Sequence, residues 1–396
     1  MLFLIFLILL VAVELLSTAA LRQHFYSRSK ALFYILVIIH VTLSLWFWIL
    51  FIETTDYKGF FDSPSHIWNI TQLTGMIAAI IVPRTILVIF HFSGRLIRYR
   101  KGGYINWLTN TGLSLAGVLF LIIATSTLRG RFNFKTEEVE IGIKGLNKDL
   151  DGLRIVQISD IHLAGFYHHK DILLKEMEEI NRLKPDLIIN TGDFVTFGWR
   201  EFNGNDTILS KAKGKYGNFA VLGNHDFGTY HPYFTEADRN NNVLRLNQLV
   251  ISSGYHVLND ENTIVKIKDA KIGIIGVITI GRHPNIIHGD LNKALQGLDS
   301  VDFKILLTHD PNHWEMAVEG KTNIDLTLSG HTHGMQMGIY SRKFKWSPSK
   351  YFYPHWSGLY STGNQFHYVN RGLGVLAIPF RIWMPPEITL ITLKKE

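Results

Sequence analysis

The sequence predicts two successive folds: an all-α domain of four membrane-crossing helices over residues 1–130, then an α/β domain over residues 134–396 with two sheets in contact. Three observations carry this. Four long, almost uncharged apolar runs fill the first third of the chain. No run of that length follows Phe134. Beyond that point short apolar runs alternate with a helical period at first and then follow one another mostly as strands, the pattern of sheets covered by helices. The 396 residues suffice for two or three folding units. Having no cysteine, the chain cannot build a disulfide framework, a thiolate zinc site, an iron–sulfur cluster or a cysteine nucleophile.

The apolar runs are residues 2–20, 31–52, 71–92 and 107–128. Each is long enough to cross a hydrocarbon core of about 30 Å at about 1.5 Å per residue, and none shows the polar stripe of a helix in a soluble bundle. No Lys or Arg precedes the first run, so it lacks the basic start of a cleaved signal and reads as a span. The net charge of +7 is unevenly placed. Residues 1–128 hold nine basic and four acidic residues, and the rest 31 and 29, so the basicity belongs to the membrane part and no nucleic-acid groove is indicated. Loops 21–30 (Arg22, Arg28, Lys30) and 93–106 (Arg95, Arg98, Arg100, Lys101) are basic. Loop 53–70 carries Lys58 against Glu53, Asp56 and Asp62. The positive-inside bias therefore predicts a multi-pass inner-membrane protein with its α/β domain extracytoplasmic, although Arg129, Arg131 and Lys135 stand on that side. Glu14 and Arg84 fall within spans at similar depth, which predicts an ion pair between the first and third helices, with His40 nearby.

In the second domain, residues 137–143 alternate as a strand, 154–159 and 187–190 are short apolar runs, and 171–183 has helical spacing between them. A strand is expected at 218–222 and a helix at 243–253. Residues 263–268 and 271–277 flank Asp269-Ala270 as a hairpin. Strands at 303–308, 324–328, 374–378 and 387–392 complete the set.

Five apolar runs end abruptly in metal-ligand residues: Ser159-Asp160-Ile161-His162, Thr191-Gly192-Asp193, Gly223-Asn224-His225-Asp226, Thr308-His309-Asp310 and Gly330-His331-Thr332-His333-Gly334. Loops at the carboxyl ends of strands are where α/β sheets place ligands. The donors are carboxylate, imidazole and amide without sulfur, a set suited to Mn, Fe or Zn rather than to Mg or Ca alone. Seven such side chains exceed the needs of one ion. Two divalent ions sharing a carboxylate would use them all, and such a pair can acidify a bridging water and clamp phosphoryl oxygens.

In this order the motifs resemble the calcineurin-like metallophosphoesterase superfamily. The phrases Leu153-Arg154-Ile155-Val156-Gln157-Ile158-Ser159-Asp160, Tyr368-Val369-Asn370-Arg371-Gly372-Leu373-Gly374 and Pro385-Pro386-Glu387-Ile388-Thr389-Leu390 resemble its bacterial membrane-anchored phosphodiesterase branch. The resemblance implies a four-layer αββα sandwich and a hydroxide between two metals that attacks phosphorus. It gives Asp160, His162 and His333 to one metal, Asn224, His309 and His331 to the other, and Asp193 as the bridge. It makes His225 the group that assists the leaving oxygen, oriented by Asp226. Met335 departs from the family pattern, which often has a second glycine there. Arg371 is a candidate phosphate anchor, because a guanidinium can bind two oxygens at once; an ion pair at the surface is the competing assignment.

Residues 344–366 are rich in aromatics, and Tyr230, Tyr233 and Phe234 follow the Gly-Asn-His-Asp loop. On a tethered domain such side chains suit a phosphate ester carried by a phospholipid or polyprenyl chain. The expected activity is metal-dependent hydrolysis of phosphate mono- or diesters, with no obligate protein partner. A catalytically silent sensor or scaffold is the alternative, but all eight ligand and acid positions are filled. Four spans are few for a transporter.

Overall fold

In the computed structural model, which describes residues 2–55, 59–101, 106–279, 289–341 and 344–396, the chain forms two compact units. Met1–Phe60, Asn69–Arg129 and Ala377–Phe380 make one; Phe61–Trp68, Gly130–Leu376 and Arg381–Glu396 make the other. Asp56 and Lys58, counted above in the second loop, lie outside the described residues, as do the side chains of Arg98, Arg100 and Lys101.

Helices α1 (Leu2–Phe25), α2 (Lys30–Thr55), α3 (Pro64–Met76), α4 (Val82–Lys101) and α5 (Asn106–Leu128) arise from the apolar runs. Four stretches, Leu4–Phe25, Lys30–Thr54, Pro64–Ile97 and Asn106–Phe132, are long and apolar enough to cross a membrane. The third far exceeds its expected bounds because α3 and α4 continue through a π-helical turn, Ile77–Ile81. Pro83 explains the turn: it has no N–H to donate and its ring crowds the carbonyl four residues back, which a widened turn relieves. Leu10, Phe47, Phe51, Met76, Ile80 and Ile81 form the inner core, while Leu15, Ile38 and Leu121 point outward, as a lipid-facing surface requires.

The expected Glu14–Arg84 pair is present. Arg84 Nη1 lies 3.1 Å from Glu14 Oε1 and donates to Ser44 Oγ at 2.9 Å, and Nη2 donates to the His40 carbonyl at 2.9 Å. Trp48 Nε1 donates to the other Glu14 oxygen at 3.0 Å. Both charges thus lie in a hydrogen-bonded network that ties three of the helices together.

The second unit carries strands β1 (Lys135–Ile143), β2 (Arg154–Ile158), β3 (Leu187–Asn190), β4 (Asn218–Ala220), β5 (Tyr255–Val257), β6 (Glu261–Ile267), β7 (Ala270–Gly276), β8 (Phe303–Leu307), β9 (Leu326–Ser329), β10 (Ile339–Tyr340), β11 (Lys345–Trp346), β12 (Gly358–Thr362), β13 (Gln365–Val369) and β14 (Glu387–Lys395). Its helices are α6 (Lys170–Arg182), α7 (Asp206–Leu209), α8 (Glu236–Ser252) and α9 (Leu291–Ala294). One six-stranded sheet runs β1-β14-β2-β3-β4-β5 and the other β12-β13-β9-β8-β7-β6. Strands β2 to β5 are mutually parallel, as are β7, β8, β9 and β13. Ile155, Ile189, Val221, Ile274, Ile305 and Leu328 fill the space between the sheets. The outer face of the first sheet is covered by Leu173, Met177, Leu246 and Val250 from α6 and α8, and that of the second by Leu291, Ala294 and Trp314. The architecture is the expected αββα sandwich. Strands buried on both faces read as mostly apolar runs without alternation, which makes β2, β3 and β8 legible despite Gln157 and Lys304.

Three of the expected elements differ in place or kind, and β5, β10 to β13, α7 and α9 were not expected. The helix expected from 243 begins at Glu236, behind a capping box in which Thr235 Oγ1 accepts from Asp238 N–H and Asp238 accepts from Thr235 N–H. Its polar first turns show no apolar period. Residues 374–378 form no strand: Gly374 N–H donates to the Asp160 carbonyl, and Ala377 stands at φ 63°. The hairpin turns at Lys268-Asp269, one residue before the expected pair.

Candidate metal centre

The five motif loops leave the ends of β2, β3, β4, β8 and β9 side by side. Two groups of ligand atoms result. Asp160, His162 and His333 form one and Asp193, His309 and His331 the other, with atoms in each group within 4.8 Å of one another. Both carboxylates and three of the four imidazoles are buried; His331 is partly open. Asp193 Oδ2 lies 3.0 Å from His309 Nε2 and 3.9 Å from His162 Nε2, between the groups. Asp160 Oδ1 lies 3.3 Å from His333 Nε2.

Bringing these side chains together strains the backbone. Asp160, His162, Asp193, His331 and His333 all sit at φ between 45° and 72°, a region that costs an L-residue about 1–2 kcal/mol. The loops hold them there by exchanging hydrogen bonds: Asp160 N–H donates to Gly192 O at 2.8 Å, His162 N–H to Asp193 O at 3.2 Å and His331 N–H to Asp160 Oδ2 at 3.0 Å. Two glycines are needed. Gly192 stands at φ 99°, and at Gly330 any Cβ would collide with Ser159 Oγ and Asp160 Oδ2.

The donor set fits divalent cations. His162 Nε2 and His333 Nε2 face each other at 3.2 Å, as do His309 Nε2 and His331 Nδ1. Such convergence of nitrogen atoms suits a shared cation. His309 Nδ1–H donates to the Thr191 carbonyl at 2.8 Å, which leaves Nε2 as the atom able to bind a cation. Asn224 Nδ2 donates to Tyr230 Oη at 3.0 Å, and its Oδ1 is buried without a hydrogen-bond partner. A buried amide oxygen without a hydrogen-bond partner is the kind of donor a divalent cation would satisfy. The charges agree. Burial opposes ionisation, yet His333 holds Asp160, and His309 holds Asp193, below the usual carboxylate range. Burial likewise opposes a charged His309, but Asp193 and its hydrogen bond, with Asp160, push this imidazole up to about 10. The two carboxylates demand positive charge.

His225 stands beside both groups. Its ring is 5.2 Å from that of His162 and stacks on Tyr230 at 4.2 Å. Nδ1–H donates to the Thr196 carbonyl at 2.8 Å, and burial lowers its pKa. The expectation that Asp226 orients this ring is therefore corrected: the Thr196 carbonyl does. The Asp226 carboxylate accepts from the N–H groups of Asp193 (2.8 Å), Gly223 (2.9 Å) and Val195 (3.2 Å), pinning two ligand loops together. Burial and the neighbouring Asp193 push its pKa up.

Arg371 is corrected as well. It is fully buried, with Nη2 2.9 Å from Glu137, Nε 3.0 Å from Glu387 without hydrogen-bond alignment, and its guanidinium 3.5 Å from the Tyr340 ring centroid. A fork enclosed in this way is not open to phosphate, and the pair is not a surface pair. Sequence reasoning missed three residues. Tyr353 Oη lies 2.8 Å from His331 Nε2, Thr196 Oγ1 lies 3.1 Å from His162 Nδ1, and buried Arg381 Nη2 lies 3.2 Å from His333 Nδ1. Arg381 also donates to the carbonyls of Arg371, Gly372 and Gly374. No spacing or composition signal marks it.

A family model for calcineurin-like phosphoesterases matches residues 153–335. The chain is 32% identical over 248 residues to the uncharacterized metallophosphoesterase YkuE of Bacillus subtilis, covering 62% of this chain and 80% of that protein. It is 31% identical over 271 residues to a transmembrane protein with metallophosphoesterase domain from Danio rerio, covering 66% of this chain and 57% of that one. An uncharacterized metallophosphoesterase of Campylobacter jejuni, Cj0846, is 29% identical over 287 residues, with 71% and 69% covered.

Proposed function

Since the chain belongs to the calcineurin-like metallophosphoesterase family, we propose that it is a membrane-anchored phosphoric ester hydrolase acting on mono- or diesters. The observation that carries this is the pairing of two ligand groups around Asp193 with a fixed imidazole at their edge. Asp160, His162 and His333 would hold one ion and Asn224, His309 and His331 the other, with Asp193 serving both. Divalent Mn, Fe or Zn held there would neutralise phosphoryl oxygens and acidify water.

The chain's own groups do the rest. The Thr196 carbonyl keeps the His225 proton on Nδ1, so Nε2 is the atom that hands a second proton to the leaving oxygen. Burial, by lowering the His225 pKa, makes the protonated ring a stronger acid. Tyr230 backs the ring and turns Asn224 so that Oδ1 is free for an ion. The basic loops 21–30 and 93–106 support an inner-membrane chain with an extracytoplasmic hydrolase domain. A lipid-borne phosphate ester is the substrate that best suits such a tether.

The test is hydrolysis of p-nitrophenyl and bis-p-nitrophenyl phosphate by the full chain in detergent. Activity should appear with added Mn, Fe or Zn. Asp193→Ala and His225→Ala should each lower kcat/KM by about 100-fold or more. A metal-loaded chain inert to both esters would overturn the proposal.

A further inference from the structure

The segment that wraps the metal centre has an unusual charge. Residues 326–386 contain six basic residues (Arg342, Lys343, Lys345, Lys350, Arg371 and Arg381) and no Asp or Glu, while the remainder of residues 129–396 holds 25 basic and 29 acidic. Arg371 and Arg381 are engaged inside the fold, and Lys345 and Lys350 are exposed. The same segment supplies His331 and His333, and sets Tyr353 on His331 and Arg381 on His333.

Around these ligands apolar side chains stand in the open. Tyr351 is 71% exposed, Phe352 61%, Phe344 55% and Trp383 66%. They share one rim: Ser347 Oγ donates to Gly334 O, Gly338 N–H donates to Ile382 O, and Tyr351 and Phe352 immediately precede Tyr353. Exposed Met335 and Trp383 are held at φ 47° and 52°. Large side chains rarely adopt that conformation.

Resting on the phosphoesterase reading, we propose that this rim, from Met335 through Phe352 to Trp383, is a membrane-contact surface that sets the mouth of the metal centre against the headgroup layer of an anionic bilayer, so that the ester hydrolysed belongs to a lipid. Aromatic rings favour the headgroup level, and lysines in a segment that itself carries no acid are drawn to anionic lipid. The four apolar helices keep the domain at a bilayer, so even a weak contact is populated.

The absence of cysteine makes the test direct. Full-length Phe352→Cys, Trp383→Cys and, as a control on an exposed turn, Gln296→Cys would carry a polarity-sensitive fluorophore in phosphatidylcholine discs with or without about a quarter phosphatidylglycerol. Blue-shifted emission is expected at 352 and 383 in the anionic discs and not at 296. A Phe352→Ser, Trp383→Ser double variant should hydrolyse phosphatidylglycerol in the disc about tenfold more slowly, with bis-p-nitrophenyl phosphate hydrolysis within about twofold of the parent. Water-like emission at both positions in both discs overturns the proposal, and so does an equal loss on the two esters. So does a parent that cleaves bis-p-nitrophenyl phosphate but no lipid in the disc, which leaves the hydrolase reading standing. A parent inert to both esters sinks the hydrolase reading and this inference together.

Discussion

Asp226 and His313 show how buried ionisable groups can act without touching a phosphate. Asp226 takes three backbone N–H groups from the loops of Asp193, Val195 and Gly223, so its removal leaves three buried donors unpaired, each costing about 1–3 kcal/mol. Asp226→Ala should lower the melting temperature of the hydrolase unit by many degrees. Any residual activity should keep the parent pH profile, because His225 is oriented by Thr196; a shifted profile would return the orienting role to Asp226. His313 is fully buried, its ring Nδ1 lies 2.9 Å from Thr308 Oγ1, and burial lowers its pKa from 6.5 to about 4. Its folded pKa is depressed, so the fold binds fewer protons here than the unfolded chain. The stability is whole above about pH 6.5 and drains as pH falls towards 4. At about 1.4 kcal/mol per tenfold change in proton affinity the loss is roughly 3 kcal/mol. In melts between pH 7 and 4, His313→Gln should flatten the acid-side decline relative to the parent; an unchanged slope would remove His313 from the account.

Among the elements, the π-helical turn and Arg84 belong together. Pro83 forces the widened turn, and the next residue carries its guanidinium to Glu14, Ser44 and the His40 carbonyl. Glu14→Gln and Arg84→Met should each destabilise the detergent-extracted bundle, and the double mutant less than their sum, with a coupling of about 1 kcal/mol. Strict additivity would mean that the pair contributes nothing. Helix α8 makes a separate point. Its first turns, Glu236 to Asn242, are polar, and only the Thr235–Asp238 cap marks where it begins. Apolar periodicity sees the buried stretch of a helix and misses a solvated start.

At the scale of the whole molecule, charge and topology decide which phosphate esters can be reached. Residues 1–128 carry a net +5 concentrated in two loops, and the proposed orientation, with the phosphoesterase unit outside the cytoplasm, rests on that bias. A reporter fused after Glu396 should be active only in its extracytoplasmic form. A cytoplasmic signal would reverse the orientation and with it the accessible lipid leaflet.

What the sequence determined was local. Apolar length marked the four membrane-length stretches, short mostly apolar runs marked β2, β3 and β8, and the abrupt stop of a run at a polar ligand type marked the candidate ligands. Each of those signals lies within a few residues of the feature it reports. The Thr196 carbonyl behind His225, Tyr353 on His331, Arg381 on His333 and the burial of Arg371 between Glu137 and Glu387 were settled only by tertiary structure. Those partners stand 16 to 234 positions apart in the chain. A main-chain carbonyl carries no residue type to read, and an arginine has the same letter whether it faces phosphate or is locked between two carboxylates. Side-chain chemistry is written in the sequence; which groups converge is decided by how the two sheets pack.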